Sequence, residues 1–105
     1  MTQDAIPRQT SLAEVKVKVP QHVVYRSFPS ETVVLNLQTG KYHGLNATAG
    51  EMLEELERSA SVRDAALVVA AAFDLPSETI EADMCELCRA LLERGLLEID
   101  GGVGL

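Results

Sequence analysis

An α+β domain of winged-helix type is the fold class this sequence predicts. Three observations carry it. The first half of the chain holds short alternating or β-branched runs, the second half holds three helical patterns, and the connection before the last helix is tight. One domain is implied by 105 residues, and its core is aliphatic, because 47% of the chain is hydrophobic with only two Phe, two Tyr and no Trp. Such a domain buries about 60–70% of its unfolded surface, enough to fold without staples. The expected boundaries are a flexible tail over residues 1–14, the domain over 15–99 and a loose tail over 100–105.

The strands come first. Val15, Val17 and Val19 alternate with Lys16 and Lys18, the period of a strand with one wet face. Pro20 interrupts the pattern, and residues 23–28 read as its continuation or as a second piece. Pro29-Ser30-Glu31 is a turn. Residues 32–37 form the next strand, with Val33, Leu35 and Leu37 on one side. Thr39-Gly40 is not a preferred pair for a two-residue hairpin loop. A three-residue loop, Gln38-Thr39-Gly40, with Gly40 in the left-handed region, suits the sequence better. In that register Leu37 opposes Lys41, Leu35 opposes His43 and Val33 opposes Leu45, which collects Val33, Leu35, Leu37 and Leu45 on one buried face.

Three helices follow. The first begins near Asn46 or Thr48, where Thr48 and Glu51 have capping-box spacing, and its apolar face is Ala49, Met52, Leu53 and Leu56. Ser61 and Asp64 start the second, which runs through an Ala/Val stretch to Phe73. Pro76 suits the first turn of the third. Its stripe is Ile80, Met84, Leu87, Cys88, Leu91 and Leu92, and Gly95 ends it. Residues 96–99 form a short closing strand or pack on the core.

Charge is uneven along the chain. Through Leu45 five basic residues stand against three acidic ones; from Asn46 onward four stand against thirteen, so the halves carry +2 and −9. An acidic helical half repels phosphate and suits a neutral or basic partner. The last helix, which would enter a DNA groove in a winged-helix protein, carries Glu78, Glu81, Asp83, Glu86 and Glu93 against Arg89 and Arg94, and this disfavours nucleic acid. No apolar stretch reaches membrane length and no signal-peptide pattern opens the chain. The cytoplasm is the expected compartment, where two cysteines three residues apart stay reduced.

No catalytic constellation emerges. Cys85 and Cys88 have redox-motif spacing, but there is no second pair, and neither His22 nor His43 stands at zinc-finger spacing to them. Cys88 falls on the apolar stripe, where cysteine behaves as a small hydrophobe. Neither histidine sits in a recognisable nucleophile motif, and no glycine loop precedes a helix to cradle phosphate. The expectation is a protein without enzyme activity, cofactor or metal.

What remains is the strand Lys41, Tyr42, His43, Gly44, Leu45, which has no obvious later partner. Its open edge offers backbone donors and acceptors to an extended peptide, with side chains falling between that strand and the third helix. From the residues alone, a covering by the N-terminal segment or by a second copy fits equally well.

The run from Val34 to Asn46 (VLNLQTGKYHGLN), the alanine- and threonine-containing helix start after it, Asp83, and Leu91-Leu-Glu-Arg-Gly-Leu-Leu97 together resemble the PqqD-like proteins. These are the stand-alone recognition elements of ribosomally made, post-translationally modified peptide (RiPP) pathways. The similarity covers about residues 15–99. The Thr-Gly-Lys-Tyr-x-Gly-Leu-Asn stretch is closer to the leader-binding members of lasso-peptide clusters than to the pyrroloquinoline-quinone member. The resemblance implies a three-stranded antiparallel sheet packed on three helices. It also implies that a precursor's leader segment adds to the third strand beside the third helix and is presented to a maturation enzyme, in lasso pathways a leader-cleaving cysteine protease. Carried onto this chain, the peptide-binding residues are Leu35, Leu37, Lys41, Tyr42, His43, Gly44 and Leu45 on the hairpin, and Ile80, Glu81, Asp83, Met84 and Leu87 on the helix. A winged-helix protein-interaction or transcription-regulatory module is the alternative, and a small redox or metal protein using the two cysteines comes third.

Overall fold

Asn36 sets the geometry of the hairpin on which the fold turns. Its side-chain oxygen accepts from the N–H groups of Gln38 (2.9 Å) and Thr39 (3.3 Å), an Asx turn that bends the chain immediately after the strand. Gly40 takes φ +77°, as its position demands, and donates to Asn36 O at 2.8 Å. The structure is a computed structural model and describes residues 11–100. In chain order it contains β1 (Lys16–Lys18), β2 (Val23–Ser27), β3 (Glu31–Asn36), β4 (Tyr42–Asn46), α1 (Ala47–Arg58), α2 (Val62–Phe73), α3 (Ser77–Glu93) and β5 (Glu98–Asp100), with a 3-10 turn at Leu12–Glu14.

The expected α+β order holds, with β2, β3 and β4 forming a three-stranded antiparallel sheet followed by three helices. β1 is not a continuation of β2. It pairs instead with β5 in a separate two-stranded ribbon, Val17 opposite Ile99, so the closing strand does form. Residues 11–14, expected to be the end of a flexible tail, pack on the domain: Ala13 is buried, the turn packs on α2 and α3, and Glu14 pairs with Arg63 at 3.9 Å. The rest of that tail, residues 1–10, and residues 101–105 lie outside the described residues.

The hairpin register differs from the expected one by a single residue. Thr32 opposes Leu45, Val34 opposes His43 and Leu35 opposes Tyr42, which makes Leu37-Gln38-Thr39-Gly40 a four-residue loop. Because strand side chains alternate, this slip turns every residue of β3 over. Thr32, Val34 and Asn36 are buried against the helices, whereas Val33, Leu35 and Leu37 face away from them. The Asx turn is the physical cause, since it needs Asn36 at the strand's end with its side chain on the inner face.

The helices start and stop where local chemistry allows. Asn46, rather than Thr48, caps α1 by accepting from Ala49 N–H at 2.8 Å. Ser61 caps α2 by accepting from Asp64 N–H at 3.0 Å, and α2 ends on Asp74 in the left-handed conformation, φ +58°. α3 follows Pro76 and is stopped at Gly95, φ +73°. The core lies between the sheet and the three helices, built from Val17, Val34, Leu53, Leu56, Val62, Met84, Leu91 and Leu96 among others. Cys88 is fully buried in it and Cys85 is half-buried.

Candidate functional site

β4 ends its sheet, so one of its two edges has no strand partner among the described residues. Which backbone groups that edge offers follows from one hydrogen bond. Asn36 N–H donates to Lys41 O at 2.9 Å, making Asn36 and Lys41 a bonded pair. Bonded and non-bonded pairs alternate along an antiparallel ladder. Val34 with His43 and Thr32 with Leu45 are therefore bonded pairs, while Tyr42 and Gly44 turn their N–H and C=O groups outward. The sheet's other free edge, β2, is less available, because its first edge-facing donor, Val23 N–H, is already bonded to Pro20 O at 3.0 Å.

Gly44 leaves the outer face of the sheet low beside this edge. The nearest atom to a Cβ placed there is a Glu31 carboxylate oxygen 3.6 Å away, so the backbone lies open on that side. Exposed Lys41 stands at the start of the edge, with its own N–H turned into the hairpin loop toward Thr39 Oγ1 at 3.2 Å.

The expected site residues divide into three sets. His43 and Leu45 are half-buried on the inner face of the sheet. Tyr42, Gly44, Leu35 and Leu37 are on the outer face, away from the helices, with Tyr42 and Leu37 exposed. On α3, Ile80 and Met84 are core residues, 3% and 0% exposed, so the free protein shows them to no ligand. Leu87 is half-buried against the core, Asp83 is exposed, and Glu81 accepts from Arg63 Nε at 3.3 Å. Among the described residues α3 rests on α2 and the 3-10 turn, and β4 rests on β3 and α1.

Several ionisable groups are set by burial. The Cys88 thiol is pushed up to about 12 by desolvation, reinforced by neighbouring Cys85, and burial raises Cys85 as well. Neither is an activated nucleophile, since activation requires a lowered thiol pKa. Tyr25 O–H donates to a Glu57 carboxylate oxygen at 2.6 Å, and burial together with that bond holds the phenol protonated well above its usual range. No group of three or more His, Cys, Asp or Glu among the described residues is arranged to hold a metal ion.

The family model described as coenzyme PQQ synthesis protein D (PqqD) matches residues 31–97, which span β3 to the residue before β5. The chain belongs to the PqqD family. No curated protein matches it. Among solved structures, "TbiB1 in Complex with the TbiA(beta) Leader Peptide" is 29% identical with TM-score 0.69, and the match covers 83% of this chain and 99% of that one. "Lasso peptide synthetase B1 complexed with the leader peptide" is 22% identical with TM-score 0.70, covering 79% and 98%, a likeness of fold. All the candidate residues on the hairpin and on α3 fall inside the PqqD-matched span.

Reasoning from the sequence missed two features of this region. One is Asn36 as the organiser of the turn, for which the signal was an Asn two residues ahead of Gln38. The other is the apolar outer face of the sheet, hidden by the assumption that an apolar row must point inward.

Proposed function

We propose that this protein binds the leader segment of a ribosomally synthesised precursor peptide by strand addition to β4 and presents it to a maturation enzyme. The observation that carries the reading is the open edge itself, where Tyr42 and Gly44 aim two donors and two acceptors away from the sheet. Main-chain bonds of this kind supply affinity in β-augmentation, and alternate side chains supply selectivity. TbiB1, a similar structure, is a complex with a leader peptide.

In this reading His43 and Leu45 meet the inward side chains of the added strand, and Leu87, Asp83 and Glu81 contribute from α3. The exposed acids of α3, Glu78, Asp83, Glu86 and Glu93, favour a leader with basic residues. The protein is an adaptor without chemistry of its own, acting in the cytoplasm, and the enzyme it serves is a leader-cleaving cysteine protease of a lasso-peptide pathway. Calorimetry with a synthetic peptide of the leader encoded beside this gene tests the reading. Saturable one-to-one binding is expected; a folded protein that releases no heat and shows no binding by fluorescence anisotropy overturns it.

A further inference from the structure

The outer face of the β2-β3-β4 sheet is apolar and uncovered by any described residue. Residues from three strands share it in register: Val24, Leu35 and Tyr42 form one row, and Arg26, Val33 and the bare backbone of Gly44 the next. Leu37 and Phe28 flank these rows. Val24, Phe28, Leu37 and Tyr42 are 46%, 49%, 56% and 72% exposed, a concentration of large apolar side chains in water that a folded protein rarely keeps without a use. Between the strands lies an open depression of about 410 Å³, lined by Val24, Tyr25, Arg26, Phe28, Val33 and Leu35.

Arg26 is the only basic side chain in that lining, it is exposed, and it makes no ion pair among the described residues. Covering it with an apolar surface alone leaves a desolvated, unpaired charge, which is strongly unfavourable. The surface that fits is therefore an apolar side chain for the depression with a carboxylate beside it for the guanidinium. The rows of this face also run out to β4. A protein seated here touches the strand edge where the leader is proposed to add, and the added strand widens the same face.

We infer that this face docks the maturation enzyme, through an apolar anchor flanked by an acidic residue on that enzyme. The inference rests on the proposed leader-adaptor function but concerns the opposite side of the sheet from α1, so the two fail separately. A second copy is a less suitable occupant, because it brings the same net charge of −7 and another Arg26 to the contact.

The test uses the full chain, the purified leader-processing enzyme encoded beside it and the labelled leader peptide. Val24→Asp and Arg26→Glu alter exposed side chains outside the proposed leader contacts. Each is expected to weaken enzyme binding by about tenfold or more, as central interface contacts do, while leader affinity stays within about twofold of the wild type. Arg26→Lys, which keeps the charge, is expected to retain more enzyme binding than Arg26→Glu. Enzyme binding that is undetectable in the wild type, or unchanged in both variants, overturns the inference. So does a parallel loss of leader binding, which assigns the face to the peptide, or a concentration-dependent dimer that both variants abolish, which assigns it to a second copy. A wild type that binds enzyme but no leader overturns the leader reading instead and leaves the docking face standing.

Discussion

Gly50 on α1 lies directly against Thr32 on β3. A Cβ built on Gly50 would fall 2.8 Å from the Thr32 Cβ and closer still to its hydroxyl. Both residues are buried, Thr32 at 2% exposure, and the Thr32 hydroxyl is 3.0 Å from that of Ser27. The absence of one side chain lets the helix rest on the strand beside the candidate site. Gly50→Ala gains helix propensity, about 1 kcal/mol at most, but drives a methyl into backbone-anchored atoms, and overpacking of that kind costs about 1–3 kcal/mol. Net destabilisation is expected in urea unfolding. Adding Thr32→Ala removes the hydroxyl but not the Cβ, so the double variant recovers only part of the loss.

The order of elements was legible because it is encoded locally. Ser61 and Asp64, Pro76, Gly40 and Gly95 each mark a boundary by their own chemistry, and each does so in the structure. The register of β3 and β4 was not legible. The alternation in residues 32–37 is unambiguous, but the rule that the apolar row faces the core chose Val33, Leu35 and Leu37, and the structure buries Thr32, Val34 and Asn36. Thr32 and Asn36 are tolerated inside because the first meets Ser27 and the second bonds its own turn. The candidate strand itself was legible, since a hairpin followed at once by a capped helix leaves its second strand at an edge. On α3, the periodicity that identified the stripe could not separate Ile80 and Met84, which are core, from Leu87 at its margin.

Lys16 acts as a clamp on the far end of α1. Its ammonium donates to the carbonyl oxygens of Leu56 (3.1 Å), Glu57 (2.5 Å) and Ser59 (2.8 Å), groups that a helix C-terminus leaves without intrahelical partners. A cation there also meets the negative end of the helix dipole. Lys16→Met keeps the aliphatic stem and removes the donors. Hydrogen bonds to charged groups contribute about 1.5–3 kcal/mol when well placed, and partial exposure puts the expected loss at the lower end of that range. Thermal unfolding checks it; an unchanged Tm shows that water replaces the lysine without cost.

Thiol burial makes a pH prediction with a definite sign. The Cys88 pKa lies near 12 in the folded protein against a reference of 9.0, so the neutral thiol is the form the fold favours. Between those values the unfolded chain has released the proton and the folded chain retains it, so stability falls as pH rises from about 9 toward 12. Raised Cys85 and Tyr25 add to the same slope. Cys88→Ala is expected to be less stable at neutral pH, through the lost packing, yet to lose stability less steeply above pH 9 in denaturant titrations. A thiol reagent added to native protein is expected to spare Cys88 until the chain unfolds.

The strand edge yields the sharpest discrimination, because neighbouring residues on β4 must behave oppositely. Proline has no N–H to donate and fixes φ. At Tyr42 the N–H points outward, so Tyr42→Pro is expected to leave the sheet paired and to lower leader affinity by about tenfold or more, the scale of one lost main-chain bond plus displaced backbone. At His43 the N–H faces Val34 on β3, so His43→Pro breaks the ladder and is expected to lower Tm and disturb the whole hairpin. Gly44→Ala adds a methyl into open space 3.6 Å from Glu31 and is expected to preserve both fold and binding. Anisotropy with a labelled leader, run beside thermal melts, reads all three. If Tyr42→Pro melts like the wild type and binds the leader equally well, the peptide does not lie along β4.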